Sequence, residues 1–218
     1  MIFEIDSSVE LGSNRTPRLK ANEIHKVQLK EIKAEDLTGK DGKTYPVIYM
    51  KFENAEGEAY EHRFFAPTET VTLIDGKFGS QPSDYTQFRY TIQHFIEELN
   101  PNLFTQIKNG KKFSLNNWNE MRIWVVKALT HGINVETELK LVADNKGYAT
   151  IPKYPVGLNK SNELYLKTRF IGKNLVFTAA EKKTMDKQKE TAAATPTNMS
   201  SANLAPSPKP STSDDFDV

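Results

Sequence analysis

The chain has 218 residues, of which 29 are basic and 28 acidic, and it contains no cysteine. That length supports one sizeable core with appendages more readily than two full domains. The missing cysteines exclude disulfides, thiolate zinc sites and a cysteine nucleophile together, and the near-cancelling charges give no global attraction to nucleic acid, so only the distribution of charge is informative.

The opening "MIFEIDSSVELGSN" has neither a basic start nor a long apolar run. No stretch approaches the roughly 20 apolar residues of a membrane span, and a soluble, cytoplasmic protein is expected. Residues 1–20 read as an N-terminal arm in which "SNRTPRLK" is basic and turn-prone. "EIHKVQLKEIKA" then alternates apolar and polar side chains through Ile24, Val27, Leu29 and Ile32, with a break in phase between Ile24 and Val27 that predicts a bulge or a late strand start. "YPVIYMKFEN" predicts a second strand, and "EGEAYEHRFFAP" a third after the turn "NAEG", so the three should form a meander.

The period then changes. "SDYTQFRYTIQHFIEELNP" places Phe88, Ile92, Phe95, Ile96 and Leu99 at helical spacing, with Ser83 or Asp84 as N-cap and Pro101 as stop. "NLFTQIKNG" adds a short helical turn. "NNWNEMRIWVVKALTHG" fits either a helix ending at Gly132 or, through Trp124, Val125 and Val126, a buried strand. "ETELKLVADNKGYATIPKYP" reads as a hairpin about "DNKG", and "NELYLKTRF" and "NLVFT" are strand-like. From Ala179 onward the chain has almost no large apolar residues. It cannot bury enough surface to offset the entropy of ordering, so residues 179–218 are expected to be a disordered tail, with a transient helix over the first dozen. The expected layout is therefore an arm at 1–20, a body at 21–178 and a tail at 179–218.

No enzyme motif emerges. "TGKDGKT" ends like a phosphate-binding loop, but Leu37 stands where that loop needs glycine and a strand follows where it needs a helix. It reads as a strand-connecting loop whose lysines suit phosphate contact. His25, His62, His94 and His131 are dispersed, without the pairing zinc needs. Glu97 and Glu98 are adjacent on a helix and point in different directions, which reads as a solvated face. No catalytic residue, metal or cofactor is expected.

What remains is basic and aromatic interleaving. Residues 139–178 hold Lys140, Lys146, Lys153, Lys160, Lys167, Arg169 and Lys173 against only Asp144 and Glu163. Single-stranded nucleic acid is bound by rings that stack on bases and by cations that follow the phosphates. Tyr148 and Tyr154 flank a lysine-bearing turn and a Pro-containing segment that cannot be a central strand, so they are the candidate stacking residues. Lys140, Lys146, Lys153, Lys167 and Arg169 are the candidate phosphate contacts. Rings are also favoured in any strand: in "YEHRFF", Tyr60, His62 and Phe64 share one face and Glu61, Arg63 and Phe65 the other, and either could face water.

Three strands, a helical connection and a further hairpin is the element order of the five-stranded OB-fold barrel. Together with "NKGYATIPKYP" and the closing "SDDFDV", this order resembles the single-stranded DNA-binding proteins of bacteria and, more closely, of tailed bacteriophages. The resemblance implies an OB-fold body that coats and protects single-stranded DNA in replication, recombination and repair. It also implies a tip, Asp214, Asp215, Phe216 and Asp217, that recruits partner replication or recombination proteins and competes with DNA for the basic groove. The bacterial tip usually ends on its aromatic residue, whereas here Asp217 and Val218 follow Phe216, which favours a phage-encoded partner in the host cytoplasm. A strand-annealing recombination protein would share the basic surface, and a structural or adaptor module of a phage particle would use the same barrel without binding DNA.

Overall fold

The structure, a computed structural model, describes residues 17–67, 83–159, 161 and 163–194. The tip residues Asp214, Asp215, Phe216 and Asp217, most of the N-terminal arm and Lys160 lie outside the described residues.

The expected meander is present: β1 (Glu23–Thr38), β2 (Thr44–Glu53) and β3 (Ala59–Phe64) pair antiparallel in sequence order. Alternation turns Ile48, Met50 and Phe52 inward, with Tyr60 and Phe64 beside them. The wet face is thus the one bearing Glu61 and Arg63, beside Tyr49 and Lys51. The irregularity of β1 falls between Leu29 and Glu31, not between Ile24 and Val27. Residues up to Gln28 pair in unbroken register with a later strand, so Ile24 belongs to the opposite face, and the bulge lies where β1 passes from that partner to β2.

Three helices follow: α1 (Asp84–Leu99), α2 (Pro101–Lys108) and α3 (Trp118–Thr130). Ser83 caps α1, and its predicted apolar face enters the core, where Phe95 stacks on Phe52 with ring centroids 5.8 Å apart. The ambiguous segment is helical. Asn117 caps it by accepting from Glu120 N, and Val125, Ala128 and Leu129 bury one face at helical spacing. Trp118 Nε1 donates to the Pro46 carbonyl at 2.7 Å and ties α3 to β2. Just beyond α3, a Cβ at Gly132 would collide with Leu99, so only glycine lets this end approach α1.

The rest of the sheet is built from β4 (Glu136–Ala143), β5 (Ala149–Thr150), the separate hairpin β6 (Val156–Leu158) with β7 (Leu164–Leu166), and β8 (Ile171–Gly172). The main sheet runs β3-β2-β1-β4-β5, with β8 also paired to β4. A β-sheet with helical insertions is therefore present, but the expected closed five-stranded barrel is not. β5 has two residues because Pro152 and Pro155 follow it; proline lacks the N–H a ladder needs. Side chains and the entering segment span the gap instead. Ile151 N donates to the Tyr60 hydroxyl at 3.0 Å, Leu19 N to Ala59 O at 3.1 Å, and Ala59 N to Pro17 O at 2.8 Å. "NLVFT" is not a strand: after β8 the chain leaves the sheet through Asn174, at φ 55°.

The start of the expected tail, where a transient helix is expected over the first dozen residues, forms α4 (Ala179–Ala194); residues 195–218 lie outside the described residues. Thr178 and Glu181 explain its start. Glu181 N donates to Thr178 Oγ1 at 3.2 Å and Thr178 N to Glu181 Oε2 at 2.7 Å, a reciprocal cap that satisfies two N–H groups of the first turn. Among the described residues, no helix is long and apolar enough to cross a membrane.

Candidate nucleic-acid interface

The β4–β5 turn is shaped by Asp144, whose Oδ1 accepts from Lys146 N and Tyr148 N, each at 2.8 Å, while Gly147 takes φ 83°. A side chain with Cβ is strained at that φ, which accounts for glycine there. The turn leaves Lys146 exposed and Tyr148 62 % exposed, the highest value among the aromatic residues of the described body. A buried ring would have implied core; an exposed one is free to stack.

Tyr148 forms one wall of a groove of about 540 Å³. Arg18 and Lys20, from the segment entering β1, line it together with Tyr60, Glu61 and Arg63 of β3. The acids here are not spectators: Arg63 lies 3.2 Å from Glu35 and 3.6 Å from Glu61, so it is partly neutralised. Arg63 and Lys33 also flank the Tyr49 ring, at 4.8 and 4.6 Å from its centroid. Burial, reinforced by Glu61, pushes the Tyr49 hydroxyl up to about 12, and burial does the same to Tyr60, so both rings carry protonated hydroxyls at neutral pH.

Across the same hairpin lies a cleft of about 490 Å³ lined by Asn22, Pro152, Tyr154, Tyr165, Lys167 and one face of α4. Tyr154 is half-buried, with Lys153 Nζ 5.1 Å from its ring centroid. Lys167 is exposed, its stem lying over Gly157, where a Cβ would meet it. The structure therefore places Tyr148 in the groove on one side of the hairpin and Tyr154 and Lys167 in the cleft on the other, while Lys146 is exposed on the turn without lining either.

Two predicted phosphate contacts stand elsewhere. Arg169 reaches α1, 3.1 Å from Glu97, and its Nε donates to Ile171 O at 3.3 Å. Lys140 is 0 % exposed: it lies on the sheet face opposite its neighbours Leu139 and Leu141, and residues 168–181 cover that face. Its ammonium is paired with Glu181 at 2.9 Å, so it is not presented to a ligand at the surface. Glu97 and Glu98 likewise do not form a solvated face. Glu97 holds Arg169 and His94, and Glu98 accepts from the Thr137 hydroxyl at 3.1 Å.

Arg18, Lys20 and Tyr165 are the site residues that sequence reasoning missed; the basic arm "SNRTPRLK" and the strand "NELYLKTRF" held the signal, but not which groove each would join. His62 is packed among the rings of β3. It lies between Tyr60, whose hydroxyl is 2.8 Å from Nδ1, and the Phe64 ring, and burial pulls its imidazole down to about 4. Among the described residues, no cluster of three histidine, aspartate or glutamate side chains is arranged to hold a metal ion. Comparison with known proteins finds no family model that matches the chain, and no curated protein sequence or solved structure that resembles it.

Proposed function

We propose that the protein is a non-enzymatic single-stranded DNA-binding protein that holds the strand along the groove beside the β4–β5 turn. The observation that carries this reading is the exposed Tyr148 ring standing beside Arg18, Lys20 and Arg63 in one groove. A ring able to stack and cations able to meet phosphates are the two parts such binding needs, and stacking is worth about 1–3 kcal/mol per base. Asp144 fixes the turn backbone that carries the ring before any ligand arrives, which reduces the backbone entropy lost on binding. Strand order β3-β2-β1-β4-β5, with helices between β3 and β4, supports an OB-type body in an open form. The tip at Asp214, Asp215, Phe216 and Asp217 would recruit replication or recombination proteins, its acids steering toward basic residues and Phe216 acting as anchor.

Fluorescence anisotropy with labelled oligo-dT and a duplex of equal length tests the reading. Tight binding to oligo-dT and much weaker binding to duplex is expected, because paired bases present no free ring face. Equal affinity for both would remove the stacking mechanism. One observation favours a second reading, an adaptor module: Leu164, Tyr165 and Leu166 of β7 are all exposed. A chain that binds neither nucleic acid would point there.

A further inference from the structure

The most buried charge of the body lies outside the Tyr148 groove. The Lys140 side chain is 0 % exposed, and its Nζ donates to the Thr168 hydroxyl, to Val176 O at 3.1 Å and to the Glu181 carboxylate at 2.9 Å. An ammonium withdrawn from water needs a compensating anion. That anion is not supplied by the sheet on which Lys140 sits. It is carried by the first turn of α4, where Glu181 Oε1 also accepts from Thr168 Oγ1 at 2.8 Å. A lysine ammonium and a threonine hydroxyl thus converge on one carboxylate, which is the donor set that also receives a phosphodiester oxygen.

Two further observations separate this arrangement from a plain structural ion pair. Beyond its first turn α4 is largely exposed as far as residue 190. Met185 and Gln188 are only half-buried, and the contact of Gln188 with Asn22 is a long 3.4 Å hydrogen bond. The cleft of about 490 Å³ also reaches Glu181 and Thr168 and carries the Tyr154 and Tyr165 rings with Lys167 at their side. Exchanging the carboxylate for a phosphodiester conserves the charge beside Lys140, so the buried ammonium remains compensated throughout.

We propose that Lys140 Nζ and Thr168 Oγ1 form an anion site for a backbone phosphate of single-stranded nucleic acid, closed in cis by Glu181, and that the first turn of α4 leaves when a strand enters the cleft. The proposal rests on the reading of the body as a single-stranded DNA-binding protein. It adds a second site to the Tyr148 groove, on the other side of the same hairpin, and makes access to it a competition between Glu181 and DNA.

The test uses full-length protein, with Glu181→Gln, Lys140→Met and the double variant, titrated with oligo-dT, and hydrogen exchange followed over α4. Removing the competing charge should tighten oligo-dT binding by about 3- to 10-fold, and Lys140→Met in the same chain should abolish that gain. Oligo-dT should also speed exchange of the α4 amides in the unaltered protein. Unaltered protein that binds oligo-dT while Glu181→Gln binds equally or more weakly, with α4 exchange unchanged by DNA, overturns the latch and leaves the DNA-binding reading in place. If no form binds oligo-dT, that reading falls, and tripolyphosphate decides the site separately. Selective thermal stabilisation of Glu181→Gln over the double variant upholds an anion site, and equal response of the two overturns it.

Discussion

Lys140 and Lys146 belong to one hairpin, yet they stand in opposite circumstances. Lys146 lies on a turn that Asp144 folds outward, and its ammonium meets water. Lys140 lies on β4, where residues 168–181 pass over it and Glu181 takes its charge. The two sides of the hairpin therefore offer different surfaces: an open groove beside Tyr148, and a cleft beside Tyr154 whose nearest buried cation is already occupied. Residue type and local charge density do not separate binding lysines from structural ones; what crosses over the strand does.

The largest effect should come from the buried side. Lys140→Ala removes a paired ammonium and the packing of its stem, and should lower unfolding stability by roughly 3 kcal/mol, visible as a reduced denaturant midpoint at unchanged slope. Glu181 keeps some exposure and can turn to water, which sets this below the upper end for buried pairs.

Acid sharpens the same contrast. His62 stays neutral in the fold down to about 4 while the unfolded chain protonates near 6.5, so the unfolded state binds the extra proton between those values. Stability is full above pH 6.5 and falls as pH drops toward 4, by at most roughly 3 kcal/mol, since the ring retains some solvent contact. Glu181 acts lower on the scale. Burial alone would raise it, but Thr178 N–H, Lys140 and Thr168 together hold it below the ordinary 4.5. Its contribution is present above 4.5 and is lost as pH falls through its depressed value, so α4 should loosen after the His62 loss has begun. Urea unfolding from pH 7 to 4 reads the first loss, and a His62→Gln variant should flatten it.

On the open side, Tyr148→Ala should weaken oligo-dT binding by about 1–3 kcal/mol with the melting temperature nearly unchanged. A large loss of stability with unaltered affinity per folded molecule would assign the ring to packing. Smallest of all, Lys146→Ala should leave stability within about 0.5 kcal/mol and reduce the slope of log affinity against log salt by about 0.7, one phosphate contact on a single strand.

Much of this frame was legible in the sequence because it depends on period. The alternation through Val27, Leu29, Ile48, Met50 and Phe52 gives the meander, and the spacing of Phe88, Ile92, Phe95, Ile96 and Leu99 gives α1. At α3 the β-branched run near Trp124 competed with helical spacing, and tertiary burial of Val125, Ala128 and Leu129 decided between them. Closure of the barrel fails at the two-residue β5, and Pro152 and Pro155 in the sequence already argue against a long fifth strand. The start of α4 is also written in the chain, as Thr178 followed three positions later by Glu181, where low apolar content pointed only to a transient helix. The fate of Lys140 was not legible. Its partners come from Thr168, Val176 and Glu181, brought over β4 only by the path of the folded chain.

The proposed binding mode depends on a base stacked on Tyr148. Photocrosslinking with oligo-dT carrying 5-iodouracil, followed by peptide mapping, tests it most directly, because the crosslink forms where an aromatic side chain lies against the base. Attachment is expected at Tyr148, abolished by Tyr148→Ala and suppressed by moderate salt as phosphate contacts are screened. Attachment confined to other residues, with Tyr148 unmodified under conditions of saturating binding, would contradict it.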